Sequence, residues 1–214
     1  MESQKPDAKT ALLLRLLEQV KESSEPVLSY AIPHIFSRKL ASLGIIREDI
    51  LFVKSAFEQL QEAKNNKSLG NVITASLFYA AVSQYGRCFN ENRGGNSKLE
   101  PSDLFSEQDT ELSEAHREIM SARNSFVAHR DDNDYEQAVV IIDIPLDEKI
   151  DGTYFRVKSL KTMSPSPEKL LSYLKLCDFI IEKVESKFEK QAYKTKESLF
   201  KNLEPDQIQF LRIK

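Results

Sequence analysis

Apolar residues recur every three or four positions through most of this 214-residue chain, a spacing that admits little besides packed helices. Between Ala8 and Lys21, the residues Leu13, Leu16, Leu17 and Val20 form one stripe. Ile50, Val53, Phe57 and Leu60 form a second, after a turn predicted around Gly44, and both helices are expected to pack inward. Pro26 and Pro33 interrupt the stretch between them, so residues 25–43 read as one short helix or two. Asn71 is placed to cap a helix running to about Asn90, with Val72, Ala75, Phe78, Val82, Tyr85 and Phe89 on one face. Ile73, Leu77, Tyr79 and Ala81 fill its other faces, which makes this helix central. Gly94, Gly95, Asn96 and Pro101 mark residues 91–108 as a loop, read as a lid or partner-contact segment. From Asp109 or Thr110 another helix begins, carrying Leu112, Ala115, Ile119, Ala122 and Phe126 at spacings of 3, 4, 3 and 4, with His129 next in the series. A second stripe, His116, Met120, Arg123 and Val127, runs beside it.

After the acidic turn Asp131, Asp132, Asn133, Asp134 the period drops to two. Ala138 to Ile144 reads as a strand stopped by Pro145. Thr153 to Leu160 alternates, with Phe155 and Val157 opposite Arg156 and Lys158, after an Asp151-Gly152 turn. Ser166 and Pro167 then restart a helix whose seam is Leu170, Leu174, Cys177, Ile181, Val184 and Phe188. The expected fold is all-α dominated: a helical bundle with a β-hairpin inserted at about residues 137–161. Residues 1–45 are expected to be a helical extension packed on the bundle, 46–204 the main helical domain, and 205–214 a tail.

Composition narrows the function classes. No apolar run approaches the ~20 residues that span a bilayer, and the polar first ten residues do not resemble an export signal. No membrane association is expected, and the location expected is cytoplasmic. Cys88 and Cys177 sit among apolar neighbours and read as small buried hydrophobes rather than nucleophiles. A net charge of −3 argues against broad, sequence-independent binding to duplex DNA, which needs a basic face to release counterions.

The chemistry available lies between Ser121 and Asp132, S-A-R-N-S-F-V-A-H-R-D-D. A histidine of ordinary pKa takes a proton from a ribose 2′-hydroxyl at neutral pH and, as imidazolium, returns one to a leaving 5′-oxygen. His129 fits that role. Arg123, always charged, suits the nonbridging phosphate oxygens as charge builds in the transition state, and Asn124 can orient the phosphate. Such a set cleaves RNA to a 2′,3′-cyclic phosphate without metal or cofactor and spares DNA. On an ideal α-helix Arg123 and His129 stand about 120° apart in azimuth and ~9 Å apart along the axis. A symmetric dimer, each Arg123 approaching the partner copy's histidine, closes that gap most simply. Arg130, His116, Tyr85 and Arg87 are the further candidates for contacting substrate.

R-N-S-F-V-A-H-R, late in an amphipathic helix and followed by an acidic turn and a strand, resembles the HEPN superfamily with its R-x4-6-H motif, in particular the abortive-infection branch. The resemblance covers about ten residues, and the architecture from Ile46 to about Phe188 is compatible with it. It implies a HEPN-like bundle over 46–204 and a metal-independent endoribonuclease of a phage-defence or toxin system. Arg123 and His129 would be catalytic and Asn124 supporting, in a homodimer formed through the motif-bearing helix, with an antitoxin or sensor protein as partner. The hairpin and the N-terminal extension depart from the family pattern. The alternative is a non-catalytic module of the same kind that binds RNA, nucleotide or a partner protein. His129 as a core or helix-end histidine, and Arg123 in an ion pair with Glu118, Asp131 or Asp132, also remain open. His129 with Asp131, Asp132 and Asp134 has metal-ligand residue types, but without a second histidine at helical spacing it reads as a solvated turn. His116 is expected to be exposed to solvent.

Overall fold

A computed structural model describes residues 8–21, 29–66, 70–90, 97–127, 136–143, 154–161 and 165–213. Helices dominate it: α1 (Ala8–Lys21), α2 (His34–Asn66), α3 (Asn71–Phe89), α4 (Pro101–Leu104), α5 (Thr110–Ser121), α6 (Pro167–Asn202) and α7 (Pro205–Phe210). The antiparallel pair β1 (Glu136–Asp143) and β2 (Tyr154–Lys161) lies between α5 and α6, so the fold is all-α with an inserted hairpin. Among the described residues no helix is long and apolar enough to cross a membrane.

The chain forms two compact units, residues 41–189 and residues 1–40 with 190–214.

The larger unit is built on facing stripes. Leu43, Ile46, Ile50, Val53, Phe57 and Leu60 are buried along α2, and Ala75, Phe78, Val82, Tyr85 and Phe89 along α3. Each large apolar side chain so covered contributes about 1.5–3 kcal/mol. Together they exceed the ~1 kcal/mol that Gly44 costs inside a helix, and α2 runs unbroken where a turn was predicted. On α6, Leu170, Cys177 and Val184 are buried as expected. Tyr173, Leu176 and Ile180 join them, while Leu174 and Ile181 are only partly covered, so the seam is rotated from the predicted one. The described part of the 91–108 segment is anchored rather than free: Leu99 and Leu104 are buried, and the Leu99 N–H bonds the Cys88 carbonyl at 2.8 Å.

In the hairpin, Val140 pairs with Val157 and Ile142 with Phe155. These four and Ala138 share one face, and all are exposed. Arg156 is bonded to Asp143 on the other face, Nη2 to Oδ1 at 2.7 Å. The Asp151-Gly152 turn lies outside the described residues.

In the smaller unit, Leu13 and Leu16 of α1 are exposed to 56% and 51%. The expected tail contains α7, at whose start the Glu204 N–H bonds the Gln207 side-chain oxygen at 2.9 Å. The chain then pairs with residues 29–31: Ala31 N–H to Leu211 O and Ile213 N–H to Ser29 O are both 2.8 Å, around an antiparallel bridge between Tyr30 and Arg212.

Candidate functional site

α5 starts after Asp109, whose carboxylate accepts the Ser106 N–H at 2.9 Å and the Ser106 hydroxyl at 2.7 Å. Those bonds hold its pKa below the usual carboxylate value. Glu111 sits in the first turn, favourable at the positive end of the helix dipole. Ala115, Ile119 and Ala122 are buried, as the 3, 4, 3 spacing predicts. The Ala122 N–H still bonds the Glu118 carbonyl, but from Ala122 to Val127 the segment is π-helical, a turn defined by bonds five residues apart rather than four, and leaves the expected α-helix. The angle estimated between Arg123 and His129 assumed an α register that this segment does not keep. Single π turns inside α-helices are rare and frequently found at functional sites.

Arg123 and Asn124 both lie on this turn. Arg123 is half-buried, Asn124 is exposed, and the Arg123 Nη1 donates to the Asn124 Oδ1 at 2.9 Å. The arginine stem crosses α3 at Gly86, where a Cβ would meet the Arg123 Cγ at 2.9 Å, Nε at 3.2 Å and Cδ at 3.3 Å. Glu118, weighed as an ion-pair partner for Arg123, is engaged elsewhere, by the Lys169 Nζ at 2.7 Å and the Tyr173 hydroxyl at 3.1 Å. Among the described residues no carboxylate stands in ion-pair range of Arg123. Asp131, Asp132, His129 and Arg130 lie outside the described residues.

The remaining candidates are not brought to the same surface. His116, expected to be exposed, is 8% accessible: its Nδ1 shares a 2.7 Å hydrogen bond with the Tyr85 hydroxyl, and its ring centroid is 4.5 Å from Phe89 and 5.3 Å from Phe105. Burial drives its pKa down to about 4 and raises that of Tyr85 well above the phenol value. Tyr85 is completely covered, as its place on the apolar stripe predicts. Both side chains thus bond each other inside the protein. Arg87 is exposed, with its Nη1 donating to the Gln84 Oε1 at 3.0 Å and its Nη2 3.9 Å from Asp49 Oδ2. One residue past Gly86, its Cα is turned about 100° around α3 from the point Arg123 crosses.

Cys88 and Cys177 are buried free thiols, and burial lifts Cys88 to about 12, which rules out a thiolate nucleophile at neutral pH. Among the described residues no three His, Cys, Asp or Glu side chains converge as metal ligands. A cavity near the C-terminus is lined, among the described residues, by Asp206, Gln209, Phe210, Arg212 and Ile213, none of them a candidate. Gly86 was not among the residues singled out from sequence. A lone glycine in an unbroken helical pattern was the available signal, since such a residue usually has a packing reason. Comparison with protein-family models, with curated proteins and with solved structures returns no match.

Proposed function

We propose that this chain is a HEPN-like, metal-independent endoribonuclease of a phage-defence or toxin system. The observation that carries the reading is Arg123: a guanidinium on a π turn, bonded to the neighbouring amide and without a carboxylate in ion-pair range among the described residues. A structural arginine is normally neutralised by an acid, and Glu118, the near candidate, is committed to Lys169 and Tyr173. A guanidinium left in this condition suits a phosphate, whose oxygens its fork matches two at a time. In this reading His129 removes the 2′-hydroxyl proton and later protonates the leaving 5′-oxygen. The 2′-oxygen attacks phosphorus, the P–O5′ bond breaks, and a 2′,3′-cyclic phosphate remains. Arg123 stabilises the pentacoordinate phosphorane, and Asn124 holds Arg123. Two copies meet along the motif-bearing helix, and an antitoxin or sensor protein restrains or triggers them.

Incubating the purified chain with mixed single-stranded RNA, beside Arg123→Ala and His129→Ala variants, tests the proposal. The wild type should yield 2′,3′-cyclic phosphate ends with chelator present and leave DNA intact. Each variant should lose about 10²-fold or more in rate. Equal cleavage by all three proteins, or none by the wild type under any trigger, would remove the ribonuclease reading. Retained RNA binding without cleavage would favour the non-catalytic binding module instead.

A further inference from the structure

We infer that Gly86 is a positioning residue for Arg123: the absent side chain leaves a notch in α3 that seats the arginine stem and fixes where its guanidinium meets a phosphate. The inference rests on the reading of Arg123 as a phosphate clamp. Nothing in the backbone asks for glycine at this position, which has ordinary helical geometry without a positive φ. In a helix interior glycine is less favourable than alanine by about 0.5–1 kcal/mol. What the position lacks room for is a methyl group. Three successive arginine atoms, Cγ, Cδ and Nε, lie within 3.3 Å of where the Cβ would stand, and Cγ, at 2.9 Å, is close to the main chain rather than at the mobile end. Gly44, the other glycine described inside a helix, shows the contrast: its nearest neighbour is 3.8 Å away, an ordinary contact that alanine would also make.

The notch supports one side of the arginine, and the Asn124 carbonyl oxygen, 2.9 Å from Nη1, holds the other end. The Tyr85 hydroxyl, one residue before Gly86 in sequence, is bonded to His116 of α5, which ties the two helices together about two turns before Arg123. A long side chain that would otherwise sample many rotamers is thereby set in one, so its ordering is complete before ligand arrives. An alanine at 86 forces the stem into another rotamer while leaving the helix intact, because the residue that must move is a half-buried side chain and not backbone.

The test compares the full-length wild type, Gly86→Ala, Arg123→Ala and the double variant. Thermal unfolding, the nitrogen–proton resonance of the Arg123 Nε–H (assigned by its loss in Arg123→Lys), and kcat and KM on mixed single-stranded RNA are read for each. Gly86→Ala is expected to stay folded, with an unfolding temperature within a few degrees of wild type, to shift the Nε–H resonance, and to lower kcat about 10²-fold with little change in KM. In the Arg123→Ala background it should cost nothing further. An unmoved resonance with cleavage within twofold of wild type would overturn the inference. So would a lowered unfolding temperature with an equal loss of rate in both backgrounds, which would make Gly86 a packing residue. If the wild type cuts no RNA under any trigger the ribonuclease reading falls by itself, and the resonance and the unfolding temperature decide whether Gly86 seats Arg123.

Discussion

At neutral pH His116 is an uncharged imidazole, because Tyr85, Phe89 and Phe105 surround it and water does not. Its folded pKa of about 4 lies below the unfolded value near 6.5. Between those values the unfolded chain holds a proton that the native state lacks. Its contribution to stability is therefore whole above pH ~6.5 and declines as pH falls toward 4, by up to about 1.4 kcal/mol per unit. His116→Leu should lower stability at pH 7 by about 1–3 kcal/mol, since it leaves the buried Tyr85 hydroxyl unpaired, and should show a flatter fall between pH 6.5 and 4.5. Thermal unfolding across that window measures both, and parallel pH curves for the two proteins would show that His116 titrates in contact with solvent. The second stripe on α5 was legible as a stripe, but its burial was not. It depends on Phe105, carried there by a segment whose glycines and proline read as loop. Arg123 and Asn124 stand out in the sequence by residue type and adjacency, which survive any backbone register, but the bond between them was not expected. Gly86 was not legible, since only the α3–α5 crossing shows what it makes room for.

Elements announce themselves through side-chain period, and the π turn at Ala122–Val127 has none of its own. The 3, 4, 3, 4 spacing through Phe126 is what an α-helix shows, while the change of register is a matter of which carbonyl each N–H reaches. Gly44 misled for a related reason: a glycine lowers helix propensity by a fixed small amount, and the apolar face from Leu43 to Leu60 outweighs it. The hairpin was read correctly from its alternation, down to which residues share a face, because period two has one structural meaning in a strand. What alternation cannot disclose is whether the apolar face is covered. Here Phe155 and Val157 are exposed to 71% and 68%. A lone two-stranded ribbon is marginal in water. Amides of Glu136–Asp143 and Tyr154–Lys161 should therefore exchange with deuterium about 10²-fold or more faster than those of α3, by mass spectrometry of peptic fragments. Protection equal to that of α3 would reveal a cover on the hairpin in solution.

Over the whole molecule, 30 basic residues are set against 33 acidic ones, and many of the cations are already engaged: Arg47 with Glu185, Lys54 with Asp178, Lys169 with Glu118, Lys187 with Asp103. Helical periodicity made the core between Ile46 and Val184 legible. The joining of residues 190–214 with 1–40 was not, because it rests on main-chain bonds between 29–31 and 211–213 that no side-chain pattern encodes. The charge balance has a measurable consequence for the proposed activity. Each phosphate neutralised by a cation on a single strand contributes about −0.7 to the slope of log affinity against log salt. A site made of Arg123 and Arg130, present once or twice in a dimer, engages two to four phosphates. Binding of a short single-stranded RNA to the His129→Ala protein, followed by fluorescence anisotropy over a salt series, should therefore give a slope of about −1 to −3. The Arg123→Ala, His129→Ala double variant should flatten it by about 0.7 to 1.4. A slope near −6 or steeper would mean that a broad basic surface, not a local guanidinium clamp, holds the RNA, and the role assigned to Arg123 would fall with it.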